Sequence, residues 1–205
     1  RAELTDMQLK ETVVELVSFA RIVINAFDYL AKSRKISLSF HSSVESLTIS
    51  TDSVKVERIL YNLLSNAIKN TPDGGLVSLS LDLSGSHDLS IIIEDNGSGI
   101  DAKHQSLIFE KFFRGPAREG TGNQQGLGLG LYIVRKFVEM LHGKIAVSSS
   151  PGQGTRIEVT FPVKILVAEE QAARETDTPV MEEGTSTILI AEDNEELLEY
   201  MRKKL

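Results

Sequence analysis

Between Leu76 and Asn96 the chain reads "LVSLSLDLS", "GSHD" and "LSIIIEDN". The first run alternates apolar and polar residues strictly, which is the period of a half-buried strand, and the second is strand-like after a polar, glycine-containing turn. Two strands so close in sequence pair antiparallel as a hairpin, because a parallel pair needs a crossover of a dozen or more residues. A doubly wound βαβ fold is therefore excluded for the middle of the chain.

The flanking segments extend this pattern. Residues 13–31, "VVELVSFARIVINAFDYLA", carry Leu16, Phe19, Ala20, Val23, Phe27 and Leu30 at the spacing of an amphipathic helix. "ISLSF" and "LTIS" alternate as strands. Asp52 or Ser53 caps a second helix running to about Asn70, and Pro72 and "DGG" end it. "LGLYIVRKFVEML" places Leu131, Val134, Val138 and Leu141 on one face, with His142-Gly143 as its stop. "KIAVSSS" and "TRIEVTF" are two further strands joined by "PGQG". Residues 13–162 thus predict an α/β (α+β) two-layer sandwich, its mixed, mainly antiparallel sheet covered on one face by helices.

After "VKILV", residues 163–186 turn acidic and contain Thr and Pro, the composition of a linker. "TILIAEDNEELLEYMRKKL", residues 187–205, is one strand and one helix without partners in sequence. A chain of 205 residues with net charge -7 and pI near 5.2 lacks the basic footprint of a nucleic-acid binder. Any phosphate-bearing ligand must be held by backbone N–H groups, a metal ion or a few cations. There is no cysteine, hence no disulfide or thiolate metal site, and no run approaches the roughly 20 apolar residues of a membrane helix. The cytoplasm is the default expectation, and the abrupt ends suggest a piece of a larger protein.

Four stretches could carry chemistry. In "RILYNLLSNAIKN", Asn62, Asn66 and Asn70 recur every four residues with Lys69 beside them, opposite Val56, Leu60, Leu63, Leu64, Ala67 and Ile68. A solvated face would explain the pattern, but asparagine is a poor helix former. Amide oxygens can ligate a hard cation and a lysine can meet phosphate. "EDNGSGI" puts Asp95 at a strand end before Gly97 and Gly99, which is either a solvated β-turn or a carboxylate aimed at an exocyclic amine beside closely approaching backbone. "GLGLGL", Gly126 to Leu131, opens a helix whose free N–H groups suit an anion, though it lacks a P-loop lysine. Between them "IFEKFFRGPAREGTGNQQ" packs three of the eight phenylalanines, Phe109, Phe112 and Phe113, into five residues, an anchor for a lid-like loop.

Together these stretches resemble the catalytic, ATP-binding domain of bacterial sensor histidine kinases, within the GHKL ATPase superfamily. The resemblance covers residues 12–162: the N box "NLLSNAIKNT", the G1 box "DNGSGI", the F box "IFEKFFR", the G2 box "GLGLGL" and the closing "HGKIAVSSSPGQGTRIEVTFP". It implies that Asp95 binds the adenine amino group, with Gly97, Gly99 and Ile100 shaping the pocket and Thr155 near it. It further implies that Asn66 ligates Mg²⁺ beside Asn62, and that Lys69 approaches the phosphates of ATP. Gly126, Leu127, Gly128, Leu129, Gly130 and Leu131 would cradle the triphosphate, reached from the lid by Lys111, Phe112, Arg114 and Arg118. Asn70 departs from the family, which more often has an aromatic there.

The family's acceptor histidine lies on a dimerising helical hairpin. None of His41, His87, His104 and His142 has the neighbours of that motif, and "RAELTDMQL" resembles the hairpin's last turns, so residues 1–11 are expected to be its end. By this resemblance the fragment binds Mg·ATP and is a monomer without catalytic residues of its own. The intact protein is a homodimer that phosphorylates the hairpin and passes the phosphoryl group to a receiver domain, as the cytoplasmic portion of a membrane-anchored sensor. Residues 187–205 resemble the first strand and helix of a receiver, with Glu192 and Asp193 as its Mg²⁺-binding acid pair; an acidic helix start is the plainer reading. A second "EDN", Glu192 to Asn194, would then serve a different site from Glu94 to Asn96. The alternatives are a nucleotide-binding pseudokinase or partner-binding module, and another GHKL ATPase. Against the second, the hydrolytic members place a water-activating acid where Asn62 stands.

Overall fold

The alternating run at Leu76–Ser84 and its return at Asp88–Asp95 pair antiparallel, from Val77 opposite Asp95 to Ser84 opposite Asp88. This hairpin is the centre of the fold in a computed structural model that describes residues 8–84, 87–113 and 127–170. In chain order the described elements are β1 (Thr12–Glu15), α1 (Leu16–Asn25), α2 (Asp28–Ser33), β2 (Ser37–Ser42), β3 (Val44–Thr51), α3 (Ser53–Asn70), β4 (Leu76–Ser84) and β5 (Asp88–Asp95). They continue with α4 (Ala102–Gln105), α5 (Gly130–Met140), β6 (Lys144–Ser150), β7 (Gly154–Pro162) and β8 (Lys164–Glu170). All belong to one unit, Arg1–Ala172.

A five-stranded sheet has the order β2-β4-β5-β7-β6, and a three-stranded sheet the order β1-β3-β8. Only β2 runs parallel to its neighbour, β4; the other pairs are antiparallel, so the sheet is mixed and mainly antiparallel as expected. Alternation sends Leu79, Leu81, Ile91, Ile93, Ile157, Val159 and Phe161 to one face, all buried, and Ser37, Ser39, Glu94, Ser148 and Arg156 to the other. Helix α3 lies at the centre of the covering layer, packing against α1, α5 and β5. Its Ile59, Leu60, Leu63, Leu64 and Ile68 are at most 1% exposed. Each such side chain contributes about 1.5–3 kcal/mol of burial, which holds the opposite, asparagine-bearing stripe of the helix at the rim.

The continuous helix expected over 13–31 is divided. Thr12–Glu15, rich in β-branched valine, pairs with β3 instead, and the Glu15 carboxylate caps α1 by accepting the N–H groups of Val17 (3.1 Å) and Ser18 (2.7 Å). The same carboxylate accepts the Leu47 N–H at 2.9 Å, tying the helix start to β3. Burial pushes Glu15 up, yet these donors outweigh it and leave its pKa below the ordinary value. Helix α1 stops at Asn25, and Phe27, 5% exposed, turns in against Tyr61 with ring centroids 5.0 Å apart.

Two expected boundaries also move. Residues 8–11, the described part of the expected hairpin end, are irregular; Lys10 is held by its N–H, which donates to Asp52 at 2.9 Å. Lys164–Glu170, read as the start of a linker, forms β8 on β3. Residues 1–7, the rest of that linker and residues 187–205, with Glu192 and Asp193, lie outside the described residues.

Candidate functional site

On α3 the three asparagines and Lys69 keep the common side that their spacing implies. Asn62 and Asn66 are half-buried, while Lys69 and Asn70 are exposed. The Nδ2 groups of Asn62 and Asn70 donate to the carbonyls of Arg58 (2.7 Å) and Asn66 (2.8 Å), four residues back. That arrangement engages one N–H of each amide within the helix and leaves the amide oxygens out of its hydrogen bonds.

The N-terminus of α5 meets this stripe directly. A Cβ placed on Gly130 would lie 2.9 Å from Asn62 Oδ1 and 3.9 Å from Asn66 Nδ2, so glycine is what lets the two helices approach here. Gly128, at φ +67°, packs on the backbone of Phe112 and Phe113, and its carbonyl accepts the Phe112 N–H at 3.0 Å. The stretches read as F and G2 boxes are thereby joined. Phe109 is buried and the Phe113 ring lies 5.8 Å from that of His104, but Phe112, at φ 65° and 60% exposed, does not pack as the anchor expected of it. Lys111 Nζ sits 5.0 Å from the centre of its ring. Leu127 is exposed, and Leu129 and Leu131 are half-buried. Arg114, Arg118 and Gly126 lie outside the described residues.

At the far end of β5, Asp95 faces the helical side of the sheet opposite Thr155 of β7. Its Oδ1 accepts the Gly97 N–H at 2.8 Å, and the Thr155 N–H also reaches the carboxylate. Burial nevertheless wins and pushes the Asp95 carboxyl above the ordinary range. Gly97 packs on the carbonyl of Asn70, whose oxygen also accepts the Ser98 N–H at 3.3 Å, so the turn after β5 rests on the end of α3. Gly99, at φ +67°, sits on the Ser150 carbonyl, and the Ile100 N–H donates to Ser149 Oγ at 2.8 Å. One rim therefore carries amide oxygens and a glycine-rich helix start, and a carboxylate closes the same side of the sheet.

A family model described as "Histidine kinase-, DNA gyrase B-, and HSP90-like ATPase" matches residues 51–165, from the end of β3 into β8. The chain belongs to this ATPase family. It is 40% identical over 157 residues to the sensor histidine kinase TmoS of Ectopseudomonas mendocina, an alignment covering 77% of this chain and 16% of that protein. It is 32% identical over 201 residues to the autoinducer 2 sensor kinase/phosphatase LuxQ of Vibrio cholerae, covering 95% of this chain and 22% of LuxQ. The full-length structure of ShkA in complex with AMPPNP superposes with a TM-score of 0.70 at 25% identity, over 79% of this chain and 33% of ShkA. The chain spans less than a quarter of the length of TmoS and LuxQ and about a third of ShkA.

Within this ATPase domain several positioning residues went unread in the sequence. Arg34 donates to the carbonyls of Ile68 (2.6 Å) and Thr71 (2.8 Å) at the end of α3, and to Asp73 at 2.9 Å. Gln105 Nε2 donates to the Ser149 (2.7 Å) and Ile100 (3.2 Å) carbonyls. Both join segments more than thirty residues apart, which no local pattern encodes. A concavity of about 530 Å³ at this end of the domain is lined by the outward-facing Ser37, Ser39, Ser78, Glu94, Ser148 and Arg156 and also by Asp95, Ser149 and Thr155. It is not the cleft between α3 and α5. Among the described residues no helix is long and apolar enough to cross a membrane, and no cluster of three acidic, His or Cys side chains could hold a metal.

Proposed function

We propose that the domain binds Mg·ATP between α3 and α5, with the adenine at Asp95, and that in its parent protein it donates the γ-phosphoryl group to a histidine of a dimerising hairpin. The observation that carries this reading is the approach of Gly130 to Asn62 and Asn66, which sets the free N–H groups of α5 beside the neutral side-chain amides of both, the Asn62 oxygen nearest. Such a helix start suits phosphate oxygens. Magnesium fits the donor set as a nucleotide-borne ion: it keeps several waters, takes its charged ligands from phosphate, and needs only an oxygen or two from protein. Asn66 would supply that oxygen with Asn62 beside it, and bound Mg²⁺ would neutralise charge on the phosphates.

The protein's own part is positioning and electrostatics. The backbone donors of Gly128 to Leu131 hold the phosphate chain, Lys69 and Lys111 face it as cations, and Asp95 fixes the opposite end of the nucleotide. In-line transfer then breaks the bond from the γ-phosphorus to its bridging oxygen and makes one to an imidazole nitrogen. The acceptor comes from outside this domain, since none of the four histidines stands in an acceptor motif. Relay to a receiver aspartate completes the reading. The LuxQ alignment, at 95% of the chain, extends past Glu170 into the stretch containing Glu192 and Asp193, so the similarity is not confined to the ATPase domain. The same reading makes this chain a monomeric, cytoplasmic portion of a homodimeric, membrane-anchored sensor.

The test is to mix the 205-residue chain with Mg·ATP and a separately produced hairpin from the parent protein, and to assay acid-labile phosphohistidine. Phosphohistidine on the hairpin is the expected result. ATP binding without transfer to a folded hairpin supports a pseudokinase instead.

A further inference from the structure

The hydroxyl of Ser149 makes three contacts. It accepts the Ile100 N–H at 2.8 Å, lies 2.7 Å from the Gly154 carbonyl and 3.1 Å from Thr155 Oγ1. A carbonyl can only accept, so the single Ser149 proton goes to Gly154. The bond to Thr155 must then be donated by Thr155. Ser149 Oγ is saturated, with one proton given and two lone pairs used, and the Thr155 hydroxyl has its direction imposed on it.

The consequence falls on the neighbouring carboxylate. Asp95 and Thr155 are register partners on the same face of the sheet, and Asp95 is itself oriented by the Gly97 N–H. With its proton committed to Ser149, Thr155 has only lone pairs to offer a ligand, beside the carboxylate oxygens of Asp95. The pair therefore presents acceptors alone. An exocyclic amine satisfies such a pair, while a carbonyl oxygen in its place is left facing acceptors without a proton between them.

We propose that Ser149 is the positioning residue for base selection: by fixing the Thr155 hydroxyl as an acceptor it makes the Asp95–Thr155 pocket prefer an exocyclic amine to a carbonyl. Ser149 touches no ligand in this scheme and acts through Thr155. Gln105 supports it by donating to the Ser149 carbonyl at 2.7 Å. The inference rests on the adenine-nucleotide reading of the site.

The experiment measures calorimetric affinity of the full chain for Mg·ATP and for Mg·ITP, in which a carbonyl replaces the amine. Ser149→Ala is expected to weaken ATP binding about tenfold and to lower the ATP-to-ITP ratio at least about threefold, because Thr155 is freed to donate. Ser149→Thr, which keeps the hydroxyl, is expected to hold the ratio. A purely structural role would weaken both nucleotides together, so an unchanged ratio in a folded Ser149→Ala variant overturns the inference. If that variant does not fold, Thr155→Val carries the test: a lowered ratio supports the proposal and an unmoved ratio overturns it. Absence of binding by the unsubstituted chain overturns the nucleotide reading and this inference together, whereas ATP binding with an unmoved ratio overturns this inference alone.

Discussion

Gly154 is packed over the end of β5 so closely that any Cβ on it would run into the carbonyl oxygen of Asp95, and its φ of +87° suits no other residue. The β6–β7 turn and the Asp95 strand end are thus held together by the lack of a side chain. Gly154→Ala is expected to cost on the order of 2–4 kcal/mol, combining left-handed strain with overpacking. Urea unfolding would measure it, and nucleotide affinity should fall in the same variant; stability within error of the unsubstituted chain would contradict this packing.

Asp95 carries a cost in the free domain. Burial raises its folded pKa above the ordinary 3.8, so its contribution to stability is present below that value and is lost as pH rises through the raised one. Asp95→Asn keeps an acceptor for the Gly97 and Thr155 N–H groups and removes the buried charge. Stability at pH 7 should hold or rise while Mg·ATP affinity drops at least about tenfold, a split readable from melting curves and calorimetry on one sample. Affinity that survives the substitution would remove Asp95 from the adenine site.

Asp52 and Lys55 form a buried ion pair at the start of α3, 3% and 4% exposed, with the Lys10 N–H as a further donor to the carboxylate. Lys55→Met leaves that carboxylate uncompensated and should cost about 3–5 kcal/mol, part of which Asp52→Asn added to it restores. Burial pushes Asp52 up, but the Lys55 ammonium and the backbone donors outweigh it and lower its pKa. Its stabilising share is therefore present above the ordinary 3.8 and disappears as pH falls through the lowered folded value. An acid titration of stability in which Asp52→Asn matches the unsubstituted chain would refute the assignment.

Arg34 satisfies carbonyls at the end of the helix that bears the asparagines. Arg34→Ala should lower stability by about 1–3 kcal/mol, and hydrogen exchange in the last turn of α3 should quicken ahead of the rest of the helix. Lysine there is expected to recover only part, since it lacks the planar fork that spans both carbonyls. Uniform exchange along α3 in the alanine variant would argue against a local anchor.

Where periodicity ran over a whole element, the chain was legible: β4 and β5, α3 from its Asp52 cap to Asn70, α5, and the β6–β7 hairpin all stand where alternation or helical spacing put them. The failures share a cause. Thr12–Glu15 continues the apolar spacing of α1 and becomes a strand only because β3 offers unpaired edge groups and Glu15 can cap the helix behind it. Lys164–Glu170 reads as the entrance to a linker because the chain turns acidic just after Val167, and its pairing with β3 spans well over a hundred residues. Phe112 has the composition of an anchor, but its positive φ turns the ring outward.

By itself the sequence determined the layers, the family and the identity of the candidate ligands of the nucleotide, because solvent-facing periodicity and residue chemistry are local properties. Tertiary structure alone decided how those groups are oriented. The approach of Gly130 to Asn62, the seating of Gly154 on Asp95 and the proton order through Ser149 and Thr155 arise only where distant segments meet. Hydrogen-bond direction and close backbone contact depend on what lies across the gap, and one strand of sequence carries no record of its opposite side.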